Sequence, residues 1–241
     1  MKLSVVVPAF NEERLIAGTL SHLQVGTQVF RKRGWSTELI VCDNNSTDRT
    51  AAIARAAGAH VVFEPLNQIS RARNAGAAHA RGDWLVFVDA DSWPTRELFD
   101  DAAQAIESGD CLAGGATVRY ESARFDVRLA LAAWNAVSRL LKWAAGSFIF
   151  CEAAAFRALG GFSEELYASE EIDLFRRLKR LARAQRRRIV LLHRYPLLSS
   201  DRKARLYRWS EMAPVLLRMV TSGGRSLRSR AACHPWYDGR R

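Results

Sequence analysis

The run SEEIDLFRRLKRLARA (169–184) carries three acids at the start of a helix-compatible segment. With Ser169 as the cap and about 100° per residue counted from Glu170, Leu174, Phe175, Leu178, Leu181 and Ala182 share one arc between about 20° and 140°. Glu171 falls at about 100°, inside that apolar arc, and Glu170 lies on its edge. Asp173 falls near about 300°, among Arg176, Arg177 and Arg180, where a surface ion pair is its obvious role. A carboxylate on the buried face of a first helical turn is costly unless something uses it. The helix dipole offsets part of that cost. A general base that takes a proton from a hydroxyl is the chemical use, and Glu171 is the candidate.

A second pair of carboxylates stands in WLVFVDADSWP (84–94), where Asp89 and Asp91 follow five apolar residues. Alone, the pattern is weak. Aspartate commonly closes strands and caps helices, and Ser92 or Thr95 could share that task.

The elements that must position these groups are legible. Leu3 to Val7, Glu38 to Cys42, His60 to Phe63 and Trp84 to Val88 read as short strands. Helix-compatible stretches at 12–24, 48–57 and 69–80 separate them. This alternation predicts an α/β fold with a mainly parallel, twisted sheet flanked by helices. In such sheets ligands bind beyond the carboxyl ends of the strands. Asn11 and Glu12, then Asp43, Asn44 and Asn45, then Asp89 and Asp91 all sit at strand exits, so they should gather along one rim. Beyond them the sequence predicts a helix near 95–107, a strand at Cys111–Arg119, a long Ala/Leu/Trp segment (127–143), a strand GSFIFC (146–151), a turn LGGFSEE, the helix from about 170, and a last strand RIVLLH (188–193). No linker and no internal repeat divides the chain. The reading is one domain over 1–214, with halves at 1–92 and 93–214, and a basic, peripheral or partly mobile tail over 215–241.

A chain of 241 residues that is 49% apolar can bury a sizeable core. Its four cysteines show no C-x-x-C pair, which suits a reducing compartment and gives no zinc signature. The apolar start of MKLSVVVPAFNEE is too short for a signal peptide or a membrane span, so a cytoplasmic protein is expected. The net charge of +11 is uneven: from Arg176 onward, 19 Lys or Arg stand against Asp201, Glu211 and Asp238. Such a surface suits nucleic acid, anionic lipid or a phosphate-bearing substrate. No helix-turn-helix, zinc-finger or aromatic RNA-binding signature accompanies it, so nucleic acid is not the expected partner.

The ordered set VVPAFNEE (6–13), VCDNNSTDRT (41–50), ISRARNAGAAHARGDWLVFVDADS (69–92), GSFIFCEAAAFRALGGF (146–162) and SEEIDLFRRL (169–178) resembles family 2 glycosyltransferases of the GT-A fold. The resemblance covers about residues 3–180. It implies a nucleotide-diphospho-sugar donor, a divalent cation (Mn²⁺ or Mg²⁺) and inversion at the anomeric carbon. A departing sugar diphosphate needs a cation to neutralise developing charge, and such hard cations prefer carboxylate oxygen. Asp91 is then the metal ligand, with Asp89 contacting the ribose and supporting the metal site. Asp43 would read the base edge, with Pro8, Ala9 and Phe10 as the floor and Glu12 near the nucleoside. The other role for Asp43 is a turn carboxylate bonded to its own backbone, and Asp48 suits the opening of a helix. Asn45 stands where the family often has Gly, and Asn tolerates the left-handed backbone such a turn needs.

Arg71 and Arg73 offer rigid donor forks, and one of them should reach the base or the phosphates. In the family a Glu-Asp pair stands at 170–171 with the Asp as base, whereas this chain has Glu-Glu. Gly160, Gly161 and Phe162 would make the turn that presents the acceptor site. SSDRK (199–203) resembles a phosphate-contacting loop, which makes Arg202 and Lys203 candidates. His193, closing RIVLLH, is a candidate extra metal ligand. The acceptor is a saccharide, a glycolipid or a small molecule, and the basic tail could hold the chain at the inner face of an anionic membrane. Two other readings stay open: a nucleotidyltransferase, although PAFNEE stands where its Gly-rich loop would be, and a catalytically silent scaffold that binds nucleotide or a partner.

Overall fold

The computed structural model describes residues 1–120, 124–206, 211, 214, 215, 217, 218 and 221–237. In chain order the elements are β1 (Lys2–Ala9), α1 (Ile16–Gly26), α2 (Gln28–Lys32), β2 (Ser36–Asp43), α3 (Thr50–Ala56), β3 (His60–Phe63), α4 (Ile69–Ala78), β4 (Trp84–Val88) and β5 (Ser92–Trp93). They continue as α5 (Arg96–Glu107), β6 (Cys111–Tyr120), α6 (Phe125–Leu141), β7 (Phe148–Glu152), α7 (Ala153–Ala158), α8 (Glu170–Ala184), β8 (Arg188–Ser199) and α9 (Arg202–Leu206). Two short 3-10 turns follow, at Arg225–Arg228 and His234–Trp236.

Eight strands form one sheet in the order β3-β2-β1-β4-β7-β6-β8-β5. The first half is parallel throughout, as the β/α alternation requires, because each helix returns the chain to the same edge. β7 then pairs antiparallel with both β4 and β6, and β6 runs parallel to β8. Alternation along the strands divides the core in two. Leu3, Val5, Val7, Trp84, Val86 and Val88 face α1, α2 and α5, whereas Val6, Leu85 and Phe87 face α4, α7 and α8. Gly76 brings α4 close to the sheet: a Cβ there would stand 2.5 Å from Val6 Cγ1. Cys42, Cys111, Cys151 and Cys233 are free thiols, all buried. No helix among the described residues is long and apolar enough to cross a membrane.

Two strands, β1 and β8, run two or more residues past the carboxyl ends expected from the sequence. β1 runs through Pro8 to Ala9. Ala9 O accepts from Asn44 N on the β2 side, so Pro8 turns its missing N–H the other way. There the pairing with β4 has already stopped at Val6 and Phe87, and no ladder bond is lost. β8 does not stop at His193 but continues to Ser199, slipping against β6 between Ala116 and Val118. Pro196 lies within that irregular stretch, where a proline is tolerated.

Candidate active site

A cleft of about 90 Å³ opens beyond the carboxyl ends of β1 and β4. Pro8, Ala9, Phe10 and Glu12 form one side, and Asp89, Ala90 and Asp91 the other. Asn44, Asn67, Ile69, Arg202 and Tyr237 complete the lining.

The turn after β4 is clamped from several sides. Asp89 N donates to Ser147 O (3.3 Å), Ser92 N to Asp89 O (3.1 Å) and Ser200 N to Asp91 O (3.0 Å). Thr19 Oγ1 donates to Ala90 O at 2.7 Å. Both aspartate side chains keep part of their surface open, 25% for Asp89 and 18% for Asp91. Their oxygens are the donor type for Mg²⁺ or Mn²⁺. No group of three or more His, Cys, Asp or Glu gathers around a metal-sized space among the described residues. The protein therefore fits a cation bound through one or two carboxylates, with water and phosphate completing the shell.

The D-x-D turn is tied to α8 through Arg73, which is 1% exposed. Arg73 Nη2 donates to Asp89 Oδ1 and Gly146 O, both at 2.9 Å, and Nη1 to Glu170 Oε1 at 2.6 Å. Its guanidinium carbon lies 5.2 Å from the centre of the Phe162 ring. The expectation that Arg73 reaches the base or phosphates is corrected: α4 points it inward, one turn from Gly76 on the face that packs on the sheet. Arg71 is also committed, to Glu64 Oε1 at 3.3 Å and Glu164 Oε2 at 2.5 Å, and does not line the cleft.

On α8 the deeper of the two acids is Glu170, 3% exposed, where the periodicity had put Glu171 at the centre of the buried arc. Arg73 arrives from another element and draws Glu170 in. Glu171 stays half-buried, and its carboxyl is pushed up to about 8, first by burial and then by the neighbouring Glu170 charge, with Arg73 opposing. Ser169 stands at the cap position with φ +61° and gives no side-chain cap bond. Asp173 pairs with Arg177 at 2.8 Å, as its position on the helix implied.

Arg202, at the start of α9, reaches into the cleft. Its Nη1 and Nη2 donate to Glu12 at 2.7 and 2.6 Å, and Nη2 also to Asp91 Oδ2 at 3.1 Å. Glu12 N is fixed in turn by Thr50 Oγ1 at 2.7 Å. The side chain of Lys203 lies outside the described residues. His193 is corrected as a strand-closing residue: it sits exposed within β8, outside the cleft lining, with Nδ1 3.4 Å from Leu191 O.

Asp43, 6% exposed, accepts from Ser46 N at 3.2 Å, the turn-carboxylate role. The adjoining Asn45 has φ +66°. Asp48 accepts from Thr50 N at 2.9 Å as α3 begins. Gly160 and Gly161 do make a left-handed turn (φ +73° and +72°), locked by Asn74, whose Oδ1 accepts from Phe162 N and whose Nδ2 donates to Phe162 O, both at 2.9 Å. Phe162 itself is 1% exposed, so it supports Arg73 from the core and has no open face for an acceptor.

Two contributors, Tyr120 and Tyr237, escaped the sequence reading, and a third, Asn44, entered it only as part of the strand-exit rim. Asn44 accepts from Gln68 N at 2.9 Å and donates to Leu66 O at 2.7 Å, which fixes the loop before α4 as a cleft wall. Its signal was present in the CDNN run. Tyr120, at the end of β6, has its phenol raised, first by burial and then by the charges of Asp91 and Asp89. Tyr237 comes from the tail, which the sequence marked as peripheral. Over 221–237 the tail instead packs back on the body: Tyr167 N donates to Leu227 O at 2.7 Å, and the rings of Tyr167 and Tyr237 meet edge to face at 5.5 Å. Nothing local in the sequence announces that contact.

Glycosyl transferase family 2 matches the chain over residues 4–159. An undecaprenyl-phosphate 4-deoxy-4-formamido-L-arabinose transferase of Shewanella sediminis is 33% identical over 129 residues, covering 50% of this chain and 38% of that protein. The chain spans less than half the length of the curated relatives it matches. Among solved structures, S. aureus TarS 1–349 in complex with UDP-GlcNAc superposes with a TM-score of 0.65 at 23% identity, covering 84% of this chain and 59% of that one. Glucosyl-3-phosphoglycerate synthase of Mycobacterium tuberculosis, in complex with Mn²⁺, UDP and phosphoglyceric acid, gives 0.61 at 21%, covering 96% and 78%. The sheet and its flanking helices thus share the GT-A fold. On the match over residues 4–159, the chain belongs to glycosyl transferase family 2.

Proposed function

We propose that the protein transfers a sugar from a nucleotide-diphospho-sugar to an acceptor hydroxyl, with inversion. The observation that carries this reading is the cleft beside the D-x-D turn, whose Asp89 is bonded through the buried Arg73 to Glu170 of the α8 acid pair. The family match and the relatives solved with UDP-GlcNAc, or with Mn²⁺ and UDP, support a donor of this class.

Glu171, once ionised, takes the proton of the acceptor hydroxyl. The hydroxyl oxygen bonds to the anomeric carbon while the bond from that carbon to the phosphate oxygen breaks, and the nucleoside diphosphate leaves with the electron pair. Asp91, supported by Asp89, would hold a divalent cation, which would supply charge neutralisation for the departing diphosphate. Pro8 to Phe10 and Asn44 form the nucleoside floor, and Arg202 turns from the carboxylates to the phosphates. Peripheral contact between the basic part of the chain and an anionic membrane belongs to the same proposal.

Thermal-shift screening of nucleotide diphosphates and their sugars, with and without Mn²⁺, tests it, because the right ligand raises the melting temperature by mass action. A Mn²⁺-dependent rise with one nucleotide family, followed by slow donor hydrolysis, is the expected result. No shift and no hydrolysis with any nucleotide sugar would favour the silent scaffold.

A further inference from the structure

Helix α6 reverses the usual pattern of a surface helix. Its inner side carries Val127, Leu131 and Ser138, with Asn135 bonded to Val118 O at 2.8 Å and to Val118 N at 3.1 Å. On the opposite side, counted at about 100° per residue, Phe125, Leu129, Ala132, Ala133, Ala136 and Leu140 make one stripe about 100° wide. All six face solvent, with Phe125 76%, Leu129 61% and Leu140 83% exposed. A helix of a soluble domain places charged or polar residues there, and a contiguous exposed apolar patch marks an interaction surface.

One edge of the stripe is basic, with Arg128 and Arg139 along it on the helix. Beyond its carboxyl end stand Lys142, Arg176, Lys179 and Arg183, and both Arg176 and Lys179 lie over the Trp143 ring, at 5.5 and 5.6 Å. Lys179 also donates to Leu141 O. Its ammonium is pushed below the ordinary value, first by burial and then by Arg183, Lys142 and Arg176, which shows how closely these cations are gathered. The acid of the helix, Asp126, is paired with Arg124 at 2.7 Å.

We propose that α6 lies in the surface plane of an anionic bilayer, with the stripe at the acyl boundary and the six basic residues on headgroup phosphates. A second copy of the chain is the poorer occupant, because a face-to-face pair would bring these cations against their own kind. The inference rests on the membrane contact proposed above but moves it from the tail to α6. The tail's described residues instead include Cys233 and Ser226, both buried, and Leu227, whose O accepts from Tyr167 N. α6 is also connected to the chemistry, since the segment that leaves it supplies Gly146 O to Arg73 and Ser147 O to Asp89 N.

Co-sedimentation with phosphatidylcholine vesicles, with and without phosphatidylglycerol, tests this on the full chain. The protein should sediment with phosphatidylglycerol vesicles and be released by salt. Leu129→Glu/Leu140→Glu should lower that partition about tenfold or more, whereas Arg225→Glu/Arg228→Glu in the tail should change it less than about threefold. An unaltered melting temperature shows that the first variant is folded; if it is not, Leu129→Gln/Leu140→Gln replaces it. Undiminished vesicle binding by the α6 variant overturns the proposal. So does a wild-type protein that ignores anionic vesicles, or one whose dimer, seen by light scattering, the α6 variant dissolves. Donor hydrolysis in solution is scored separately, so a failed vesicle test leaves the transferase reading standing.

Discussion

Asp89 and Glu170 accept from opposite ends of one guanidinium, that of Arg73, at 2.9 and 2.6 Å. The D-x-D turn of the cleft and the acid pair of α8, far apart in sequence, are thereby linked by a single buried cation.

Arg73→Ala should therefore act on stability as well as on activity. It leaves two carboxylates facing each other without their cation, and breaking a buried pair in this way costs about 3–5 kcal/mol. Urea unfolding monitored by circular dichroism measures the loss. A change below about 1 kcal/mol would mean that the pairing is not maintained in solution.

Turnover should rise with pH and level off above about 8, because Glu171 must lose its proton to act as a base and its carboxyl is pushed up to about 8. Glu171→Gln should lower kcat by about 10²–10⁴ and abolish the rise, with donor affinity retained. The same group affects stability with the opposite sense. The folded state holds this proton more tightly than the unfolded chain, whose ordinary value is 4.5, so its contribution is complete at lower pH and is lost as pH rises towards about 8. A pH–rate profile and a set of melting curves check both directions.

The two aspartates of the D-x-D turn should separate by assay. Asp91→Ala should abolish the response to Mn²⁺ with little change in melting temperature. Asp89→Ala removes one of the carboxylates that hold Arg73, and should lower the melting temperature as well as activity. Equal melting temperatures for the two variants would contradict the role of Asp89 as a structural link.

Arg202→Ala should have opposite effects on two ligands. Mn²⁺ alone should bind several-fold more tightly, because Asp91 and Glu12 lose a competing cation, while nucleoside diphosphate should bind about tenfold more weakly. Titration calorimetry with each ligand separates the two. Weakened Mn²⁺ binding would show that Arg202 instead preorganises the carboxylates.

Tyr237→Ala should raise the donor Kd about tenfold, since an aromatic wall is removed from the cleft. Fluorescence titration with the nucleoside diphosphate measures this, and an unchanged Kd would remove Tyr237 from the site.

Much of the parallel half was legible because β3 and β4 are short apolar runs whose neighbours supply turns and helices at regular intervals. The rim of polar residues at strand exits follows from that topology, and the cleft forms there. The missed features are those that depend on a partner distant in sequence. Helix periodicity ranked Glu171 above Glu170 in depth because it cannot include Arg73 reaching across from α4. Phe162 read as an acceptor contact because a turn motif does not reveal that its ring lies under a guanidinium. Pro8 reads as a strand end and RIVLLH as closing at His193, although the missing N–H faces no established ladder at Pro8 and an irregular one at Pro196.

The four buried thiols give the fold a set of internal reporters. Burial raises each thiol and keeps it from reagent, with Cys42 and Cys111 pushed up to about 12. Cys42, Cys111 and Cys151 lie in β2, β6 and β7, so alkylation there records opening of the sheet. Cys233 belongs to the segment that carries Tyr237 to the cleft, and its labelling rate records release of that segment with the sheet still closed. The protein thus contains a chemical clock that times the departure of the cleft wall separately from global unfolding.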